Sequence, residues 1–272
     1  MLRLRVRVAL QVQRVLAHLF FPIFAVCVVM ALRFRGYRIE EIARVRQSFR
    51  AITRTCRGPI LLCSNHLTVV DSAIIAWALA SNGTYFLRFH LFAWNLPEWK
   101  NFYRNVGLRI LCYLGKCVPI IRDGSVDEKR ESMAKLEHLL RQGDAVAIFP
   151  EGTRSRSGHL DMENFGYGAG QLWTRVPNVT VVCVYLRGLA QTTYSTIPAR
   201  GDKMFVEVQR MEAQSTHKGL RAARDVTRQI MDTLYQMEQR YRARIPAPPP
   251  DTDHTGAADA GDGHASDKDA PA

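Results

Sequence analysis

The stretch from Ile60 to Asp71 restricts the fold more than any other part of the chain. Four apolar residues, Ile60 to Cys63, follow the turn pair Gly58-Pro59 and predict a buried strand. The segment from Asp71 to Ser81 predicts a helix with Asp71 as its N-cap. His66 is therefore expected on the loop where the strand passes into the helix, which is where open α/β sheets bind ligands.

The spacing of His66 and Asp71 favours contact only across a bent loop. Five residues along a helix make about 500° of rotation, roughly 140° away from the same face. On a strand, an odd offset points the two side chains to opposite faces. A carboxylate on one imidazole nitrogen would fix the tautomer and leave the other nitrogen as a base. The alternative is a surface histidine near an ordinary N-cap aspartate.

Two further stretches place charged residues just past predicted strands. Val118 to Arg122 ends in arginine, and the segment Phe149 to Ser155, which contains Glu151 and Arg154, follows an apolar run. In a parallel sheet these strand ends share an edge with the His66 loop. Arginine suits phosphate because its planar fork binds phosphate through two hydrogen bonds. The pattern predicts a base beside a phosphate-binding cluster, with surface ion pairs as the alternative for each arginine.

These residues resemble the motifs of the PlsC-type glycerolipid acyltransferases, the lysophosphatidate acyltransferase family. His66 and Asp71 match the first motif, His-x4-Asp, and Arg122 matches the arginine that ends the second. Phe149 to Ser155 reads Phe-Pro-Glu-Gly-Thr-Arg-Ser, the third motif without change. The resemblance extends over roughly Ile60 to Gly188.

The chain departs from the family pattern at two places. Cys183 stands where the hydrophobic strand of the fourth motif usually has a proline. The segment Phe165-Gly166-Tyr167-Gly168 has glycine where the family often has a basic residue, in a Phe-Lys-x-Gly pattern. Both departures bear on which acceptor is used more than on the chemistry.

The resemblance implies transfer of a fatty acyl group from a thioester, either acyl-CoA or acyl carrier protein, to a hydroxyl of a lysophospholipid. Lysophosphatidate is the expected acceptor, and another lysolipid such as lyso-ornithine lipid is the alternative. His66 would act as general base and Asp71 would orient it. No metal or redox cofactor is expected. The residues expected to bind the acceptor are Arg122, Glu151, Gly152, Thr153 and Arg154.

The charge distribution favours anionic partners. The chain has a formal net charge of +12, while the segment from Pro246 to Ala272 carries −5 from six aspartates and one lysine, which leaves +17 for the rest. A folded region with this positive charge favours binding to a membrane surface or to acidic substrates. The sequence disfavours nucleic acid as a partner, because it lacks zinc-ligand spacing, RNP-type aromatics and basic leucine-zipper heptads. The proline- and aspartate-rich tail is expected to be disordered.

Cysteine usage indicates a reducing compartment. The six cysteines form no Cys-x-x-Cys or His/Cys metal pattern. Three of them, Cys63, Cys117 and Cys183, fall in predicted buried strands, where cysteine acts as a small apolar residue. A catalytic cysteine is a minor alternative.

The N-terminal segment is expected to anchor the protein to a membrane. Val15 to Leu32 is apolar apart from His18, contains Pro22, and has arginines on both flanks. We favour monotopic insertion, bent at Pro22, from the cytoplasmic face of the inner membrane, with a true span and a soluble core helix as alternatives. Arg38 to Arg57 predicts a basic amphipathic helix that either lies on anionic lipid or packs on the domain.

The remaining pattern predicts a single α/β domain, a sandwich with a mainly parallel mixed sheet flanked by helices. We expect an N-terminal membrane-anchoring region over 1–57, the acyltransferase domain over 58–245 and a tail over 246–272. The aromatic-rich segment 88–103 is expected to line an acyl-chain channel, to meet the membrane interface or simply to pack in the core. Further strands are predicted at 84–87, 117–121, 145–149, 179–185 and 204–208, and helices at 127–141, 166–176 and 218–241.

Two other functional classes compete with acyl transfer. A hydrolase would use Ser64 or a metal, although the stretch lacks the Gly-x-Ser-x-Gly turn of serine hydrolases. A non-catalytic membrane-surface protein would explain the charge and the N-terminus, but not the motif from Phe149 to Ser155.

Overall fold

The structure is a computed structural model that describes residues 2–103, 105–121, 123–191 and 195–244. Arg122 and the tail over 246–272 lie outside the described residues. The strands are β1 (Arg38–Ile39), β2 (Ile60–Ser64), β3 (Val146–Ile148), β4 (Thr180–Gly188) and β5 (Lys203–Met211). The helices are α1 (Leu4–Phe34), α2 (Ile42–Thr55), α3 (Asp71–Leu79), α4 (Asn82–Leu87), α5 (Trp99–Phe102), α6 (Val106–Leu114), α7 (Val126–Arg141), α8 (Gly168–Arg175) and α9 (Gly219–Arg244).

The strands form one mixed sheet in the order β1-β5-β4-β2-β3. Strand β2 pairs in parallel with β3 on one side and with β4 on the other, and β5 runs antiparallel to β4. The carboxyl ends of β2, β3 and β4 therefore meet at one edge of the sheet. The loops that leave this edge carry the residues of the first and third motifs, as the sequence predicted.

Helices cover both faces of the sheet, which confirms the predicted α/β class. Alternate side chains divide between two cores: Leu62, Val182 and Val184 face α1, α2 and α3, while Leu61, Cys63 and Cys183 face α7, α8 and α9. This alternation follows from the two-residue repeat of a strand. Both faces of β2 and β4 are buried, as expected for central parallel strands.

Helix α1 is long and apolar enough to cross a membrane. One side of it packs on the domain, with Ala17 and Phe21 buried. Polar contacts add to this packing: Gln13 donates to the carbonyl oxygens of Tyr113 and Cys117 at 3.0 and 3.1 Å. Helix α1 therefore lies along the domain and does not project away from it.

A charged pair at the residue after Gln13 also fixes this helix to the domain. Arg14 lies 3.3 Å from the buried carboxylate of Asp144, which also accepts a hydrogen bond from Trp94 and contacts the fully buried Lys116. Burial lowers the pKa of Lys116 to about 8, and the carboxylate of Asp144 opposes this shift.

The prediction of a strand at 84–87 was wrong, because these residues belong to helix α4. The Ser81 hydroxyl accepts a hydrogen bond from the backbone N–H of Thr84 and caps the helix. Tyr85 is then buried against Phe21 and Phe92, with ring centroids 6.2 and 5.4 Å away. The local cap and the aromatic packing override the strand propensity of Thr, Tyr and Phe.

The prediction of a strand at 117–121 was also wrong. The segment makes only isolated parallel bridges, from Cys117 to Asn95 and from Ile120 to Glu98. Pro119 has no N–H to donate to a ladder, and Lys116 before the segment has a positive φ of 53°. The segment extends the sheet irregularly beyond β3 instead of forming a strand.

Helices α8 and α9 approach so closely at Gly170 that no side chain fits. A Cβ atom at this position would lie 1.9 Å from the carbonyl oxygen of Ala223. Because that oxygen belongs to the α9 backbone, the clash cannot be relieved by moving a side chain. The close approach holds α9 against the helix that follows the third motif.

We expect Gly170→Ala to destabilise the fold by about 1–3 kcal/mol, since overpacking forces two helices apart. Gly83→Ala is the matched control: it lies in a helix, a Cβ there meets nothing within 4 Å, and a neutral or slightly stabilising effect is expected. Chemical denaturation of both variants measures the difference. Equal stability of the two variants would contradict the close approach.

Candidate active site

The carboxylate of Asp71 organises the loop between β2 and α3. Its Oδ2 atom accepts hydrogen bonds from His66 Nδ1 at 2.9 Å and from the backbone N–H groups of Leu67 at 2.7 Å and Thr68 at 2.8 Å. Its Oδ1 atom accepts from the Thr68 hydroxyl. The predicted N-cap role was wrong: Asp71 is the first residue of α3, and its side chain turns back to the loop.

The His66 ring is held so that its second nitrogen is available. Nδ1 donates to Asp71, which leaves Nε2 without a proton in the neutral ring. The ring stacks on Phe149 with centroids 4.2 Å apart, and 16% of the side chain is exposed. The geometry is that of a histidine oriented by a carboxylate, at the carboxyl edge of a parallel sheet.

The backbone of His66 joins the first loop to the third-motif loop. Its N–H donates to Oε1 of Glu151 at 2.9 Å, and its carbonyl oxygen accepts from the N–H of Ser155 at 2.8 Å. These two bonds run between loops that leave neighbouring parallel strands. The position of the imidazole therefore depends on Glu151 as well as on Asp71.

Glu151 is buried, and its contacts are with backbone groups. Besides His66, the N–H of Asp161 reaches Oε2 at 3.5 Å. Burial raises the pKa of Glu151 to about 7, and the two backbone hydrogen bonds oppose the shift. The prediction that Glu151 binds the acceptor stays a prediction, since the contacts observed here brace the two loops.

The other third-motif residues lie around a tight turn. The N–H of Gly152 donates to the carbonyl oxygen of Phe149 at 2.9 Å, and its φ of 69° is one that side-chain-bearing residues rarely adopt. Gly152 and Thr153 are exposed, while Arg154 is partly buried with Nη1 inaccessible to solvent. Arg122, the remaining predicted residue, lies outside the described residues.

A family model described as "Acyltransferase" matches residues 37–187. The chain belongs to this acyltransferase family, the PlsC-type family. The matched range includes β1 to β4 and both loops that meet at His66. The resemblance inferred from the motifs is thereby confirmed at the level of the family.

A curated plant protein is also similar to this chain. The N-acylphosphatidylethanolamine synthase of Arabidopsis thaliana is 27% identical over 124 residues. The match covers 46% of this chain and 42% of the plant protein, so the chain spans less than half of that relative.

Sequence reasoning did not find the role of Asn65. Its side-chain amide donates to the carbonyl oxygen of Leu186 at 2.8 Å and accepts from the N–H of the same residue at 2.8 Å. Asn65 thus extends the pairing of β2 with β4 by one residue through its side chain. This fixes the backbone directly before His66. Its place directly before the histidine was the only signal in the sequence.

A buried acid on α9 was also missed. Glu238 is 2% exposed and accepts from the N–H of Leu160, while its carboxylate lies 3.3 Å from His159 and 3.8 Å from Arg187. Arg187 in turn donates to the carbonyl oxygens of Gly158 and Gln191. These contacts fix the end of the third-motif loop opposite His66.

The site geometry does not favour the hydrolase alternatives. The Ser64 hydroxyl is buried and donates to the carbonyl oxygen of Asn65 at 3.1 Å, so it does not point to the imidazole. Within the described part of the chain, no group of three or more His, Cys, Asp or Glu side chains is arranged to hold a metal.

The raised pKa of Glu151 predicts a pH-dependent stability. Its pKa of about 7 lies above the ordinary value of 4.5, so the folded state retains a proton that the unfolded state releases. Stability should therefore fall as the pH rises from 4.5 to about 7, by up to about 3 kcal/mol from this group. Glu151→Gln should flatten this decrease.

Unfolding of wild type and Glu151→Gln at several pH values between 4.5 and 7.5 measures the effect. Glu163→Gln, at an exposed carboxylate nearby, is the control and should keep the wild-type slope. An unchanged slope in Glu151→Gln would show that Glu151 is ionised throughout this range.

Proposed function

We propose that the protein transfers a fatty acyl group from an acyl thioester to the free hydroxyl of lysophosphatidate, giving phosphatidate. The observation that carries the proposal is the 2.9 Å contact between His66 and Asp71 at the edge of the sheet, inside the range matched by the family model. The donor is acyl-CoA or acyl carrier protein, and no metal or redox cofactor takes part.

In the proposed reaction His66 acts as general base. Its Nε2 accepts the proton of the acceptor hydroxyl while the oxygen attacks the thioester carbonyl carbon. The tetrahedral intermediate collapses, the carbon–sulfur bond breaks, and the imidazolium returns the proton to the leaving thiolate. Asp71 holds the ring in one tautomer and stabilises the transient positive charge. A base positioned in this way typically contributes about 10²–10⁴-fold.

The acceptor phosphate is assigned to the arginines. In this proposal Arg154 and Arg122 bind the phosphate. Gly152 and Thr153, in the exposed turn before Arg154, contact the acceptor. Glu151 contributes by holding the His66 backbone. Both carboxyl oxygens of Glu151 accept backbone N–H groups, so direct binding of phosphate by Glu151 is not part of this proposal.

The protein is proposed to work at a membrane surface, on the cytoplasmic face. The length and apolar character of α1 support membrane association. Its packing along the domain through Gln13 and Arg14 favours an in-plane anchor over a span that leaves the domain. Such an anchor would bring the active site to lipid acceptors without extracting them fully from the bilayer.

The plant relative suggests a second acceptor class. The name of that protein implies acylation of the nitrogen of phosphatidylethanolamine. A histidine base can take a proton from an ammonium or an attacking amine as well as from a hydroxyl. An assay that pairs each donor with lysophosphatidate, lyso-ornithine lipid and phosphatidylethanolamine distinguishes the candidates by their products.

We expect His66→Ala to lower kcat for acyl transfer by about 10²–10⁴-fold and to leave the fold intact, because the imidazole is partly exposed. Steady-state release of free thiol, together with circular dichroism, measures both properties. His217→Ala, at an exposed histidine, is the control and should be fully active. Undiminished transfer by purified His66→Ala would refute the assignment of the base.

We expect Arg154→Ala to raise KM for the phosphorylated acceptor by about tenfold or more, with little change in KM for the donor, since an arginine–phosphate contact is charge-assisted. Arg156→Ala removes an exposed arginine two residues away and is the matched control. Loss of donor use with unchanged acceptor binding would assign Arg154 to the thioester instead.

A further inference from the structure

A cavity of about 340 Å³ lies between α2, the end of α3 and α4. We call it the basic cavity. Its apolar lining includes Phe49, Leu79 and Leu91, and its rim carries four arginines: Arg46, Arg50, Arg54 and Arg88. It opens at the end of α3 that lies away from Asp71, about 13 Å along that helix. It is therefore separate from the site around His66.

The charge around this cavity has a single sign. Between Ile42 and Pro97 the sequence has six arginines, no lysine and one acidic residue, Asp71, which belongs to the active-site loop. In the part of the chain that the structure describes, Arg50, Arg54 and Arg88 make no ion pair. Four guanidinium groups around one hollow with no acidic partner repel one another unless an anion joins them.

One nitrogen of Arg46 also lacks a hydrogen-bond acceptor in the described part of the chain. It donates from Nη2 to the carbonyl oxygen of Trp77 at 2.9 Å, but its buried Nε has no acceptor among the described residues. A buried donor without a partner costs about 1–3 kcal/mol. An oxygen-rich anion in the cavity would supply the acceptor.

Exposed apolar residues connect the basic cavity to α1. Leu87 lines the cavity and is 83% exposed, and the adjacent Phe86 is 45% exposed. The carbonyl oxygen of Phe86 lies 2.9 Å from Nε2 of His18 on α1. The outward side of α1 continues this surface with exposed residues at helical spacing: Leu4, Val8, Val12, Val15, Leu19, Ile23, Val26 and Met30.

We propose that the basic cavity binds the phosphate of an anionic phospholipid headgroup, with Leu87 and the outward side of α1 in contact with the acyl chains. Arginines bind phosphate through paired N–H groups. The apolar surface beside them suits the acyl chains of a lipid, whereas a free phosphate ion has no apolar part to contact it. The inference rests on the membrane association proposed above, but it does not depend on the identity of the acyl acceptor.

The test is sedimentation of the full-length protein with vesicles of phosphatidylcholine alone and with one-fifth phosphatidylglycerol. We expect Arg50→Glu/Arg54→Glu to lower binding to the anionic vesicles by about tenfold or more. Lys218→Glu/Arg221→Glu changes the net charge equally, at exposed residues at the start of α9, and should have a much smaller effect. Leu87→Ser should weaken binding to both kinds of vesicle.

Three outcomes would overturn the proposal. Equal losses in the two double variants would indicate general electrostatic attraction, and displacement by millimolar inorganic phosphate would indicate a free-phosphate site. Loss of acyl carrier protein binding in Arg50→Glu/Arg54→Glu, with vesicle binding unchanged, would make the cavity a carrier-protein site. Acyl transfer is measured in parallel in detergent micelles, where activity does not require binding to vesicles. Activity in micelles without the predicted loss of vesicle binding would refute this inference alone, and no activity in micelles would refute the proposed function.

Discussion

The candidate site depends on the hydrogen bonds that the carboxylate of Asp71 accepts. One side chain accepts hydrogen bonds from the His66 ring, from two backbone N–H groups and from the Thr68 hydroxyl. The loop after β2 is thus wound around a buried anion, 2% exposed, whose desolvation is offset by these donors. The histidine is oriented by the same hydrogen bonds that close the loop, so the loop conformation and the orientation of the imidazole have one origin.

A second level of support comes from the neighbouring strand. Because β2 and β3 are parallel and adjacent, their loops leave the same edge and can exchange hydrogen bonds. Glu151 and Ser155 bind the two backbone groups of His66, and Glu238 fixes the far end of the third-motif loop from α9. The close approach of α8 and α9 at Gly170 positions the helix that carries Glu238. The third motif therefore holds the position of His66 through its loop.

The two faces of the sheet serve different purposes. The helices α7, α8 and α9 pack on one face and hold the loops of the active site. On the other face α1, α2, α3 and α4 carry the exposed apolar surface and the basic cavity, at the opposite end of α3 from Asp71. This arrangement places the exposed apolar surface and the basic cavity at one end of α3 and the loop around His66 at the other.

The sequence alone located β2 to β5 along the chain, the helices α3, α7, α8 and α9 and the motif residues, because apolar runs, helical apolar patterns and a seven-residue motif are local signals. Tertiary structure decided the rest. Asn65 meets Leu186 across 121 positions and Glu238 meets Leu160 across 78, and no local pattern encodes such pairs. The segments 84–87 and 117–121 were wrongly predicted as strands: a local cap at Ser81 with aromatic packing outweighed strand propensity in the first, and Pro119 beside an incomplete ladder did so in the second. The direction of the Asp71 side chain, toward the loop and away from its helix, likewise depended on donors that only the folded loop brings together.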